Sequence, residues 1–162
     1  PDERLKGIRL DMADYRRPSP ETAPCHAKAA GLYMICTLSK HAAESKGYAD
    51  ALMLDWRGRV AEATGANVFF VDNGVLHTPE PDCFLDGITR RTVMDLARAR
   101  GLEIIERAIM PKEMENFSEC FITGTAAEVT PVSEIGPYKF TPGDISINLL
   151  NDYLALVGGG TA

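Results

Sequence analysis

Four short segments set reactive or ligand-gripping residues among small ones. In Asp86-Gly87-Ile88-Thr89-Arg90 a glycine and a hydroxyl residue stand where a helix begins. The first N–H groups of a helix lack intrahelical acceptors and, with the helix dipole, attract a phosphate. Gly124-Thr125-Ala126-Ala127 follows a strand-like run, and its small residues would let successive N–H groups close on an anion. The two segments together could grip one anion from two sides. Lys28 stands in Ala27-Lys28-Ala29-Ala30-Gly31-Leu32-Tyr33, where partial burial would disfavour its charge and make it a nucleophile. Glu62 stands in Val60-Ala61-Glu62-Ala63-Thr64-Gly65-Ala66-Asn67, a small, mostly apolar stretch in which a charge needs a partner. A cationic ring nitrogen would be such a partner.

Each segment alone also fits a plainer role. Asp86 or Thr89 could simply cap the helix. Residues 124–127 could be a tight turn. Lys28 could be an exposed lysine near a helix start, and Glu62 a hairpin-edge carboxylate facing water.

The elements that must position these residues follow from periodicity and turn chemistry. Ile8 and Leu10 alternate with polar residues in an extended segment within residues 1–17. Three prolines between Pro18 and Pro24 make a rigid, irregular connection. Leu32, Ile35, Leu38 and Ala42 recur at helical spacing, which predicts a helix over Ala27 to Lys46, stopped by Gly47. Short strands are expected at Ala51 to Asp55, Val60 to Glu62 and Asn67 to Val71. Asp72-Asn73-Gly74 turns the chain into a return strand, Val75 to Thr78. A helix over Ile88 to Arg100 is closed by Gly101. Ile104 to Ile109 reads as a strand, Pro111 to Asn116 as a helical turn or two, and Glu119 to Thr123 as a strand. A last helix spans Asp144 to Val157, and the glycines at 158–160 read as a frayed end. Mixed strands, hairpins and helices predict an α/β or α+β domain. There is no internal repeat, no G-x-G-x-x-G and no P-loop, so a Rossmann nucleotide site is unsupported.

Composition narrows the chemistry. The chain has 162 residues, 45% of them hydrophobic and 25% charged, which suits one globular domain. A net charge of −6 argues against nucleic-acid binding, and the basic cluster Tyr15-Arg16-Arg17 is too short to change that. Cys25, Cys36, Cys83 and Cys120 form no C-x-x-C pair and are not spaced with the histidines as zinc ligands, so no metal is expected and the thiols read as free in a reducing compartment. No apolar run is long enough for a membrane helix and no signal opens the chain, which reads as soluble and cytoplasmic. It starts at Pro1 and its first methionine is Met12, as in a piece of a longer polypeptide.

Read together and in order, K-A-A-G-L-Y at 28–33, A-E-A-T-G-A-N at 61–67, L-D-G-I-T-R at 85–90 and G-T-A-A-E-V-T-P-V at 124–132 resemble the branched-chain aminotransferases. These are fold-type IV enzymes dependent on pyridoxal 5′-phosphate (PLP), and the resemblance runs from about Gly7 to Val157. It implies the large, pseudo-barrel α/β domain of that fold. Residues 1–24 would form a lead-in strand and Pro-rich connection, 25–157 the PLP-binding domain and 158–162 a tail. It further implies that Lys28 bonds covalently to the cofactor and shuttles a proton, that Tyr33 bonds its phenolic oxygen, and that Glu62 keeps the pyridine nitrogen protonated. Leu85 would pack on the ring. Gly87, Ile88 and Thr89 would hold the phosphate, with Thr125 on its other side, and Thr125 and Ala126 would hold the substrate carboxylate. The implied reaction moves an amino group from Leu, Ile or Val to 2-oxoglutarate, in amino-acid biosynthesis. A D-amino-acid aminotransferase, an aminodeoxychorismate-lyase-like enzyme, or an isolated domain without turnover is the alternative. On this resemblance the family's amino-terminal small domain is expected to be missing from the stretch; it would supply an arginine for the phosphate, and a neighbouring subunit of a homodimer or larger oligomer would close the site. Position 32 is Leu where many relatives carry Asn.

Overall fold

In β4 (Asn67–Asp72) and β7 (Glu119–Gly124), neighbouring side chains point to opposite faces, and the apolar residues sort accordingly into two cores. Val68, Phe70, Cys120 and Ile122 face one core; Phe69, Val71 and Phe121 face the other. The computed structural model that shows this describes residues 3–158. Its other elements are β1 (Ile8–Met12), α1 (Ala30–Ser45), β2 (Asp50–Leu54), β3 (Val60–Ala63), β5 (Val75–Thr78), α2 (Ile88–Ala99), β6 (Ile104–Glu106), β8 (Glu128–Ile135), β9 (Tyr138–Lys139) and α3 (Asp144–Val157), with 3-10 turns at Glu3–Lys6 and Pro111–Asn116.

The strands run in the order β3-β2-β1-β8-β7-β4, and a further β3–β4 pairing closes them into a ring. Closure rests on one register pair, Glu62 with Asn67. Beyond it β4 leaves β3 and takes β5 instead, from Phe70 to Asp72. The first core fills the ring, from Leu10, Leu52 and Val60 to Val132 and Ile135. The second lies outside it, under α2 and α3. There the rings of Phe69 and Phe121 stack at 5.0 Å between centroids, and truncating either to alanine is expected to cost about 3–5 kcal/mol. α1 covers β2, with Cys36 Sγ 3.8 Å from Met53 Sδ. No helix among the described residues is long and apolar enough to cross a membrane.

Asn73 and Gly74 both adopt positive φ, 48° and 82°, as a two-residue hairpin demands. The helix over Ile88 and the last helix form at the predicted places. Three expectations change. First, α1 begins at Ala30, not Ala27, and buries Cys36, Ser39 and Ala43 rather than the stripe Leu32, Ile35, Leu38 and Ala42. Small side chains let the helix lie close to the sheet, which leaves Leu38 and Met34 exposed. Second, the strand from Ile104 ends at Glu106, because the chain then leaves β5 and its Ile109 carbonyl accepts from Val60 N–H of β3. Third, β8 and β9 occupy a stretch with no predicted element. Of the tail expected over 158–162, residues 159–162 lie outside the described residues.

Candidate active site

One end of the ring opens into a cleft of about 470 Å³. It lies among the start of α1, the start of α2, the β3–β4 turn and the β7–β8 turn. Lys28, Tyr33, Glu62, Leu85, Gly87, Ile88, Thr89, Thr125 and Ala126 all line it. Every residue singled out in the sequence as a candidate is thus brought to one place from four separate segments.

The start of α2 leaves its first N–H groups open toward the cleft, a cup of the shape an anion would need. The N-cap is Gly87, with no side-chain cap and no acid in the first turn. Neither Asp86 nor Thr89 caps the helix; Asp86 Oδ1 accepts instead from Arg90 Nη1 at 2.8 Å. The first-turn N–H groups therefore have no side-chain acceptor. Gly87 has an ordinary φ of −63°, so it is not needed for backbone freedom. It is needed for space, because a Cβ there would collide with Asn67 Oδ1. Asn67 in turn donates from Nδ2 to the Leu85 carbonyl at 2.9 Å, which ties the cup to the ring's closing pair. Across the cleft, residues 125–127 make the tight turn between β7 and β8, with Thr125 and Ala126 exposed to it. A Cβ on Gly124 would stand 3.1 Å from the Gly65 carbonyl, so any side chain there would press the two hairpin turns apart by a few tenths of an ångström. Thr123 Oγ1, in the same wall, is buried without a partner.

The opposite wall carries the charge. The Glu62 side chain is 12% exposed, and its Oε1 lies 3.4 Å from Arg17 Nε. It does not face open water. Burial pushes its pKa up to about 8, against the pull of Arg17 and with a push from Asp50. Arg17 is buried, and its Nη1 donates to the Leu32 carbonyl and to Cys36 Sγ, both at 3.4 Å. The Tyr33 phenol is pushed up by burial and then by the neighbouring Glu62. Asp50 accepts from Thr64 Oγ1 at 2.5 Å. A buried carboxyl with one cation on one side and a cleft on the other suits a second cation or proton-sharing nitrogen in the cleft.

Lys28 differs from expectation. It lies in the loop before α1 and is exposed, not partly buried. Cys25 is the buried anchor of that loop, with its Sγ donating to the Pro18 carbonyl at 3.3 Å, and the chain beyond it carries Lys28 out over the cleft. Arg17, Asn67 and Thr123 are the site residues that the sequence did not reveal. Asp55, Asp82 and Cys83 bring ligand-type atoms together outside the cleft, but Arg57 Nη2 already bridges the two carboxylates at 2.7 and 2.5 Å.

Residues 1–135 match the model of the family amino-transferase class IV. A probable branched-chain-amino-acid aminotransferase of Rickettsia felis is 42% identical over 144 residues, which cover 88% of this chain and 50% of that protein. The branched-chain-amino-acid aminotransferase of Pseudomonas aeruginosa is 37% identical over 159 residues, 96% of this chain and 52% of that protein. Among solved structures, the branched-chain aminotransferase of the archaeon Thermoproteus uzoniensis with norvaline superposes with a TM-score of 0.92 at 36% identity, over 96% of this chain and 52% of that one. An aminotransferase from Brucella abortus bound to the cofactor PLP superposes with a TM-score of 0.86 at 32% identity, over 96% of this chain and 55% of that one. The chain spans about half the length of the curated relatives it matches.

Proposed function

The chain belongs to the class IV aminotransferase family, and from that premise we propose that it is the PLP-binding part of an enzyme that transaminates Leu, Ile and Val with 2-oxoglutarate. Its closed ring of strands is the fold-type IV pseudo-barrel. The observation that carries the proposal is the meeting of an anion cup, a buried acid and a lysine in one cleft. These are the three features that a phosphate, a pyridine nitrogen and an aldehyde on one molecule require. Residues 25–157 would form the cofactor domain.

PLP, when bound, supplies a protonated ring that draws electron density from the substrate's Cα. The chain's residues do the rest. The N–H groups of Ile88 and Thr89, behind Gly87, would hold the phosphate from the helix side, and Thr125 from the turn side. Leu85 would pack on the ring, and the Tyr33 hydroxyl would bond its phenolic oxygen. Glu62, with a pKa of about 8, carries its own proton near neutrality. It would therefore share that proton with the ring nitrogen without taking one from solvent. Lys28 Nζ would hold the cofactor at rest and, once displaced by substrate, carry the Cα proton as base and then acid. Thr125 and Ala126 would orient the substrate carboxylate. The exposed Tyr15, Met34 and Leu38 support a homo-oligomer. The free, buried cysteines accord with the cytoplasm.

Borohydride reduction in the presence of PLP, followed by peptide mapping, tests the assignment. The label is expected on Lys28, and Lys28→Ala should abolish transamination of branched-chain substrates in the full-length protein. Label on Lys40, Lys46 or Lys112 would refute it.

A further inference from the structure

Arg90 has no task in the proposed chemistry, yet it is among the largest fully buried side chains, at 2% exposure. Its guanidinium gathers three acceptors from three places. Nη1 donates to Asp86 Oδ1 at 2.8 Å, and Nη2 donates to Glu106 Oε2 at 2.7 Å and to the Pro79 carbonyl at 3.2 Å. Pro79 follows β5, Asp86 immediately precedes the N-cap of α2, and Glu106 ends β6. One side chain therefore joins both ends of the 79–86 loop and fastens them to the sheet. Leu85 and Gly87, on the cleft, lie at the end of that loop and just beyond it.

The charges argue for geometry rather than attraction. Arg90 pairs with Asp86 and Glu106, and Arg91 Nε lies 4.0 Å from Asp86 Oδ2, so the cluster is neutral and has no net charge with which to draw a phosphate. Burying a guanidinium is also costly, and an apolar residue of similar volume is often no less stable in such a place. What a planar fork supplies, and an apolar or ammonium side chain does not, is fixed direction to several acceptors at once.

We propose that Arg90 is a positioning residue for the anion cup: by clamping Pro79, Asp86 and Glu106 it holds the start of α2 so that the Ile88 and Thr89 N–H groups converge on a phosphate. The proposal rests on the PLP assignment above. It gives Arg90 an effect on phosphate recognition without contact to the phosphate.

The test compares binding of 4-deoxypyridoxine 5′-phosphate and of 4-deoxypyridoxine, which lacks the phosphate, by calorimetry. The proteins are wild type, Arg90→Lys, Glu106→Gln and the exposed control Arg98→Lys, whose ion pair is with Asp95 at the other end of α2, each checked for fold by circular dichroism. Arg90→Lys is expected to weaken the phosphorylated ligand about tenfold and the other less than about twofold, the size of one misaligned charge-assisted hydrogen bond. Glu106→Gln, on β6 and outside the cleft lining, should shift the same ratio by about threefold, through one weakened arm of the clamp. Equal losses for both ligands, or an unchanged ratio, overturn the role of Arg90. If Arg90→Lys does not fold, Glu106→Gln decides by the same ratio. A wild-type protein with no preference for the phosphorylated ligand overturns the PLP assignment and this inference together; a wild type that prefers it, with variants that keep the preference, overturns only the clamp.

Discussion

Glu62→Gln should change stability in a way that depends on pH, with a sign set by the buried carboxyl. In the folded chain its pKa is raised from 4.5 to about 8. Below the lower value the carboxyl is protonated whether folded or not, and Gln, of the same shape, costs little. As pH rises between the two values, the unfolded chain gives up the proton while the folded chain keeps it. Unfolding is then favoured by up to about 1.4 kcal/mol per pH unit. Across the whole interval the upper bound is roughly 5 kcal/mol; water entry and relaxation around Arg17 reduce it to about 2–4 kcal/mol. Above about pH 8 the loss is complete. The variant does not titrate there, so its advantage should grow from near zero below about pH 4 to about 2–4 kcal/mol at about pH 9. Urea unfolding of both proteins across that range measures it. Other groups facing the carboxyl, namely Arg17, Asp50, Tyr33 and Cys36, are common to both proteins, so the difference isolates Glu62. Saturating PLP should reverse the ranking, since the ring nitrogen gives only the carboxyl a partner. Parallel curves with and without the carboxyl would refute the reasoning.

Arg17→Gln removes the cation that holds the folded-state Glu62 pKa down, so the falling limb of the stability curve should start at the same pH but extend to higher pH before it levels; an unextended limb in urea titrations contradicts that. Gly87→Ala should cost about 1–3 kcal/mol by overpacking against Asn67 and should weaken PLP binding. Adding Asn67→Ala should restore at least about 1 kcal/mol of it, since residues in contact do not act additively; strictly additive melting-temperature losses would show that the collision with Asn67 Oδ1 is not the cause.

Elements whose evidence is local were legible in the sequence. α2 and α3 have helical spacing and glycines at their ends, and Asn73-Gly74 dictates its hairpin whatever surrounds it. β8 was not legible. Its burial alternation breaks in the middle, where Pro131 lies just before pairing with β1 begins at Val132 and the register then slips. A proline and a bulge both read as loop until a neighbouring strand explains them. α1 was misjudged at its face for a related reason. It carries small residues on one side and Met34 and Leu38 on the other, and only the close approach of β2 decides which is inward.

The site divides along the same line. Lys28, Glu62, Gly87 and Thr125 stand among small residues, a pattern that a backbone approached by a ligand imposes on its own segment. Arg17 has no such signature. Beside Arg16 it reads as one half of a surface basic pair, yet it bridges to Asp55 in extended backbone, so alternate side chains diverge. Arg16 is exposed and Arg17 is buried against Glu62. The sequence therefore offers an acid in an apolar stretch and invites a ligand as its only counterion. The structure supplies a permanent cation at 3.4 Å from Oε1, and the carboxyl is still pushed up to about 8. One arginine is thus insufficient to keep Glu62 ionised. A nitrogen on the cleft side able to accept the proton would leave the carboxylate between two cations, where its burial ceases to be a penalty.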